Sequence, residues 1–214
     1  MSMDSFIYRK VDSKYFDYPA DVLGLDYYKE DSAGEDDFSR KQIWFYVYGD
    51  DELKTEFKAG FENMFETLFG ESSDYWDFMT LMPSHEKGGF NRNMIELAEE
   101  LSNDAGVEFN NILHRNHTIR DNHELNSLRE KVINSEESID LQGDVEGKNI
   151  LLLDNLSLTG CSLMQVTELL KRNGADNVVC MVLGMDTNGE NDIKFDGSSK
   201  DKILEHIDVD TEEA

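Results

Sequence analysis

Two cysteines and two prolines stand in 214 residues, and 20 lysines and arginines face 46 aspartates and glutamates. Cys161 and Cys180 form no C-x-x-C pair, which argues against a zinc ribbon or a disulfide framework. No apolar run approaches the ~18 residues that span a bilayer. The N-terminus has no basic start followed by an apolar block, so the expectation is a soluble cytoplasmic protein without a membrane partner. A Gly-Lys-Ser/Thr phosphate loop and a Gly-x-Gly-x-x-Gly dinucleotide loop are both missing.

The scarcity of basic residues leaves a net charge of −26. A surface of that sign repels itself and repels phosphate backbones, which argues against direct nucleic-acid binding. The acids are spread along the whole chain. At molar salt the Debye length falls to about 3 Å and the self-repulsion is largely screened. The expectation is a halophilic protein, against the alternative of an acidic mesophile one.

Hydrophobic residues make up 39% of the chain, enough for a sizeable core. Residues 1–40, rich in Asp, Tyr and Lys and ending in the Asp-Ser-Ala-Gly-Glu-Asp-Asp stretch at 31–37, are expected to form an irregular N-terminal arm. Gln42–Tyr48 is aromatic and β-prone, an expected strand. Leu53, Phe57, Phe61, Met64, Phe65 and Leu68 recur at helical spacing and predict a helix over 52–69 that ends at Gly70. Further strands are expected at 75–82, 107–113, 150–153 and 178–183, with helices at 91–103, 125–133 and 163–172. Residues 187–214 read as an acidic C-terminal extension. Apolar strands alternating with helices predict one α/β domain over 41–186, a mainly parallel sheet covered on both faces. In such sheets ligands bind at the carboxyl ends of strands. The loops at 83–89, 114–123 and 155–162 should therefore share one edge.

The most telling of these is the last. The apolar run Ile150–Leu153 ends in Asp154 and is followed by Ser157, Thr159, Gly160 and Ser162 before an amphipathic helix. A hydroxyl-rich turn at a helix N-terminus offers free amides and a positive dipole end, which suits a phosphate. The bland alternative is an ordinary strand-to-helix turn in which Ser and Thr cap the helix. The stretch resembles the PRPP-binding loop of type I phosphoribosyltransferases: four apolar residues (Ile150–Leu153), two acids (here Asp154 and Asn155), a short spacer, and Thr159-Gly160-Cys161-Ser162. Met82-Pro83-Ser84-His85, Gly88-Gly89-Phe90-Asn91-Arg92 and Leu97-Ala98 are similar to a stretch of the ComF-like (amidophosphoribosyltransferase-like) subgroup. Arg115, Thr118, Leu125 and Arg129 echo that subgroup's spacing, so the resemblance covers residues 42 to 186.

The resemblance implies a type I phosphoribosyltransferase-like fold and a glycosyltransferase of nucleotide metabolism. It implies that Leu158, Thr159, Gly160, Cys161 and Ser162 hold the 5-phosphate, and that Asp154 and Asn155 meet the ribose hydroxyls. Asp154 would also hold Mg²⁺, the expected cofactor. Ser84, His85 and Lys87 would contact pyrophosphate, with Arg115 and Arg120 beside Asp154 as catalytic groups. The small-molecule partners implied are PRPP and a nucleobase or nucleotide; a homodimer is also an expectation. The chain departs from the pattern at Asn155, where the second acid is usual, at Leu158 in place of the first Thr, and at Gly88 in place of Arg. The cysteine-rich zinc module of the subgroup is absent from residues 1–40. These departures favour an alternative: a non-catalytic ribose-phosphate sensor or regulatory module, in the setting of DNA uptake.

His114, His117 and His123 fall within ten residues and His85 lies in another loop. Imidazoles so spaced can bind zinc, but no cysteine accompanies them, and solvated polarity or phosphate contact are the competing readings. Cys161, at a helix N-terminus, is placed where a thiol pKa falls, though no base accompanies it in sequence.

Overall fold

The computed structural model describes residues 5–29, 35–70, 73–189 and 191–207, with the side chains of Ser73 and His123 outside the description. Most of the expected 31–37 linker and the acidic tail from Asp208 lie outside the described residues. A seven-stranded sheet runs in the order β4-β3-β7-β8-β2-β1-β9. Its strands are β1 (Ile7–Val11), β2 (Ala20–Tyr27), β3 (Phe78–Leu81), β4 (Glu108–Phe109), β7 (Asn149–Ser157), β8 (Asn177–Met185) and β9 (Ile193–Lys194). From β4 to β2 every pairing is parallel, while β1 pairs antiparallel with β2 and with β9. The expected mainly parallel α/β sheet is therefore present. A separate antiparallel pair, β5 (Leu113–Arg115) and β6 (Ile139–Leu141), forms a small hood.

Helices cover both faces, as the strand sequences require. Along β7, Leu151 and Leu153 pack on one side with α1 (Asp37–Tyr48), α2 (Asp51–Phe69), α3 (Arg92–Ala105) and α6 (Lys200–Ile207). Ile150 and Leu152 pack on the other with α5 (Cys161–Arg172). All four side chains are fully buried. Each such Leu or Ile contributes about 1.5–3 kcal/mol relative to exposure. Local signals set the helix ends: Asp50 accepts from the amides of Glu52 and Leu53 at the start of α2, and Asn91 accepts from Met94 at the start of α3. Gly106 closes α3 in the left-handed region at φ 70°. Among the described residues no helix is long and apolar enough to cross a membrane.

Four expectations are corrected. Gln42–Tyr48 is not a strand but the second half of α1. Asp36 accepts from the Ser39 amide, Gly49 ends the helix at φ 72°, and Phe38, Gln42 and Phe45 line its buried face. Packing and two caps override the β preference of the aromatics. The described part of residues 1–40 is not an irregular arm: β1 and β2 belong to the sheet, with β2 between β8 and β1. Arg9 ties these strands to the chain's far end, donating from Nε to Asp192 Oδ1 at 2.7 Å and also pairing with Asp186. The expected 107–113 strand is divided between the two sheets, with β4 beside β3 and β5 beside β6. The short helix sits later than 125–133, as α4 (Leu128–Ser135), because Ser127 and Glu130 form a reciprocal capping box.

Candidate functional site

After β3 the chain turns outward to β4, whereas after β7 it moves the other way to β8. The carboxyl ends of adjacent β3 and β7 therefore flank a topological switch point, the place where an open parallel sheet forms a crevice. Two clefts lie there, and they share Asn122, Asp154, Leu156 and Ser162.

The smaller cleft, about 60 Å³, is lined by the turn after β7 and the start of α5: Ser157, Leu158, Thr159, Gly160, Cys161 and Ser162. β7 runs beyond the expected Leu153 to Ser157, so the turn proper is only Leu158–Gly160. Gly160 is N-cap to α5 at φ 65°, and no side chain caps that helix. The bland reading, with Ser or Thr as the cap, therefore fails. First-turn amides of α5 keep no side-chain acceptor, as an anion site needs. A Cβ on Gly160 would come within 2.6 Å of Val11 Cγ1, so β1 presses on the turn from behind. Ser157 is buried, and its hydroxyl has no hydrogen-bond partner.

The larger cleft, about 180 Å³, gathers Tyr46, Pro83, Ser84, His85, Arg115, Asp121, Asp154 and Asn155. Asp154 is partly buried in the second half of β7, and its Oδ1 accepts from the Asn155 amide at 2.8 Å. Burial pushes its carboxyl up to about 7, opposed by that amide and by the Arg115 guanidinium. Desolvation dominates, as it does for carboxyls that work near neutral pH. Arg115 is itself buried, which lowers its guanidinium to about 10 against the opposing pull of Asp154. Its Nε donates to the Ser84 carbonyl at 3.0 Å and Nη1 donates to Ser138 Oγ. Arg115 thus ties the hood strand β5 to the loop after β3 while its positive charge acts on Asp154.

Sequence-predicted residues divide into two groups. Asp154, Asn155, Leu158 through Ser162, Ser84, His85 and Arg115 come together in the clefts. Lys87 and Arg120 do not line them: both are exposed, and Arg120 stands 3.9 Å from Glu124. Among the described side chains the histidines do not converge. His114 contacts the Asn111 carbonyl, His117 contacts Asn116, and no group of three or more metal-binding side chains exists among the described residues. The side chain of His123 lies outside the described residues. Cys161 is corrected as well: burial pushes its thiol up to about 11, outweighing its place at a helix start.

Lining residues that the sequence did not single out include Tyr46, Asn122 and Lys131. Tyr46 comes from α1, the segment expected as a strand, and burial with Asp154 and Asp121 nearby pushes its phenol up to about 12. Asn122 donates to Ser162 Oγ at 3.1 Å, and Asn134 in turn holds Asn122 Oδ1 at 3.0 Å. Lys131 reaches the small cleft from α4. Each is brought in by tertiary packing from a segment with no motif of its own.

No family model matches the chain, and no curated protein does. Among solved structures, it is similar to a purine phosphoribosyltransferase from Pyrococcus horikoshii Ot3, at 21% identity and TM-score 0.36, over 58% of this chain and 72% of that one. A hypoxanthine phosphoribosyltransferase from Staphylococcus aureus gives 16% identity and TM-score 0.41, over 64% of this chain and 66% of that one. An orotate phosphoribosyltransferase from Aeropyrum pernix gives 16% identity and TM-score 0.35, over 75% and 83%. At these scores the likeness is coarse.

Proposed function

We propose that this chain binds a phosphorylated ribose, PRPP or a nucleoside monophosphate. The 5-phosphate would lie in the turn Leu158–Ser162 and the ribose hydroxyls at Asp154 and Asn155. The observation that supports it most is continuity: an uncapped helix start and a poised carboxylate open into one another through shared walls. The reaction proposed is phosphoribosyl transfer. A nucleobase nitrogen bonds to ribose C1 as the C1–oxygen bond breaks, and pyrophosphate leaves with the electron pair. The charge that builds on the leaving group is met by the fixed guanidinium of Arg115, with Ser84 and His85 beside it. Asp154, ionised, faces the cation-like sugar.

Mg²⁺ fits this cleft only in one way. With no cluster of three or more ligands among the described residues, it would be held by Asp154, substrate oxygens and water. That is the usual coordination of Mg²⁺ at phosphate substrates, where it neutralises charge. The second reading, a non-catalytic sensor, is favoured by Asn155 and Leu158 and by the structural tethering of Arg115. Titrating PRPP in molar KCl, with and without Mg²⁺, and then assaying pyrophosphate release with a panel of bases separates them. Saturable binding with release is expected. Binding without release supports the sensor, and binding of neither PRPP nor any nucleoside monophosphate refutes both. Light scattering in the same buffer reads whether the binding species is a homodimer.

A further inference from the structure

We propose that Lys131, on α4, is the cation of the small cleft, and that with the Ser157 hydroxyl it fits the cleft to a phosphomonoester dianion. The inference rests on the ribose-phosphate reading and adds a residue from outside the motif that suggested it. Lys131 is 8% exposed and lines the same cavity as Thr159, Gly160, Cys161 and Ser162. Its ammonium acts on the Cys161 thiol, which places its charge at the first residue of α5.

Acidic residues outnumber basic ones 46 to 20 here, and several lysines show what that excess does. Lys29, Lys41, Lys54, Lys58 and Lys148 each lie within 4 Å of a carboxylate. Among the described residues no carboxylate pairs with Lys131. Lys131 lines the cleft without a carboxylate partner among the described residues, which leaves its ammonium available to an anion that arrives from outside. The nearby α5 start adds roughly half a positive charge from the helix dipole. Ser157, 2% exposed with its hydroxyl unpartnered, supplies a further donor. A phosphomonoester carries about −1.5 to −2 at neutral pH, which matches the ammonium and helix end together. The cavity of about 60 Å³ exceeds the ~10–15 Å³ that one water needs.

Lys131 is also held in place. Gln165 of α5 donates to the Ser135 carbonyl at the end of α4. Asn134, also on α4, bonds Asn122, which donates to Ser162 Oγ at 3.1 Å. Helix α4 is thereby fixed to both sides of the cradle.

The test is calorimetric titration of ribose 5-phosphate into the wild-type chain, K131Q, K131R and S157A in molar KCl, with a melt of each ligand-free protein. K131Q is expected to weaken binding about 10- to 100-fold, the range of one hydrogen bond to a charged group, with K131R within a few-fold of wild type. S157A should weaken it about three- to tenfold, as for a neutral hydrogen bond. Ligand-free K131Q should melt close to wild type, because the ammonium has no protein partner to lose among the described residues. Equal affinity in K131Q and wild type overturns the role of Lys131 and leaves the cradle standing. A K131Q melting well below wild type would show the ammonium serving the fold, and overturns it too. Failure of the wild-type chain to bind ribose 5-phosphate overturns this inference, while the ribose-phosphate reading stands or falls with the PRPP and nucleoside monophosphate titrations.

Discussion

Replacing Asp154 by Asn keeps the shape of the side chain, and its Oδ1 can still accept from the Asn155 amide, but the ionisable group is gone. In the folded chain this carboxyl titrates near 7 rather than 3.8. Between those values the folded state holds a proton that the unfolded state has released, so folding is penalised increasingly as pH rises. Stability at this site is complete below pH 3.8 and is lost as pH climbs through about 7. At 1.36 kcal/mol per pH unit, the penalty reaches about 4 kcal/mol above neutrality, of which about 3 kcal/mol accrues between pH 5 and pH 8. Asn is neutral throughout and escapes it. Part of the gain is offset because buried Arg115 loses its counter-charge, so these figures are ceilings. The assay is urea unfolding of wild type and D154N at pH 5 and pH 8 in molar KCl. Differencing the pair cancels the titration of the surface acids. D154N should gain on wild type by roughly 1–3 kcal/mol between the two pH values while losing affinity for PRPP. A gain smaller than about 0.5 kcal/mol would show that Asp154 is already ionised at pH 5 and is solvated rather than desolvated.

Gly160→Ala should cost about 2–4 kcal/mol in chemical unfolding, from left-handed backbone strain and from contact with Val11; a loss below 0.5 kcal/mol would mean that β1 does not press on this turn. Mg²⁺ binding in the presence of PRPP should release protons at pH 6.5 and hardly any at pH 8.5, because Asp154 must ionise to serve as ligand; proton counts independent of pH would remove Asp154 from the metal site. A melt against KCl concentration should rise steeply from dilute buffer to molar salt if the charge of −26 is a halophilic surface, and a flat profile would favour the mesophile alternative.

Much of the sheet and of the turn after β7 was legible because their signals are local. Ile150–Leu153 and Val178–Leu183 are continuous apolar runs, and burial on both faces of a parallel sheet leaves just that trace. Helices α2 and α3 announced themselves by periodicity and by Gly70 and Gly106 at their ends. β1 was hidden because Ile7-Tyr8-Arg9-Lys10-Val11 is short and broken by two adjacent charges, and its Arg9 is satisfied by Asp186 and Asp192, far away in sequence. The helical state of α1 was hidden for the converse reason: its aromatics favour strand, and only the contacts of Phe38, Gln42 and Phe45 with the rest of the core settle the matter.

The sequence by itself determined that a carboxylate, three hydroxyls and a glycine would stand between a buried strand and a helix, since neighbours along the chain stay neighbours in the fold. Only the tertiary structure decided what surrounds them. Burial, not sequence, raises Asp154 toward 7, because desolvation depends on everything packed around the group. Tyr46, Asn122 and Lys131 reach the clefts from α1, the hood segment and α4, by packing that no local pattern encodes.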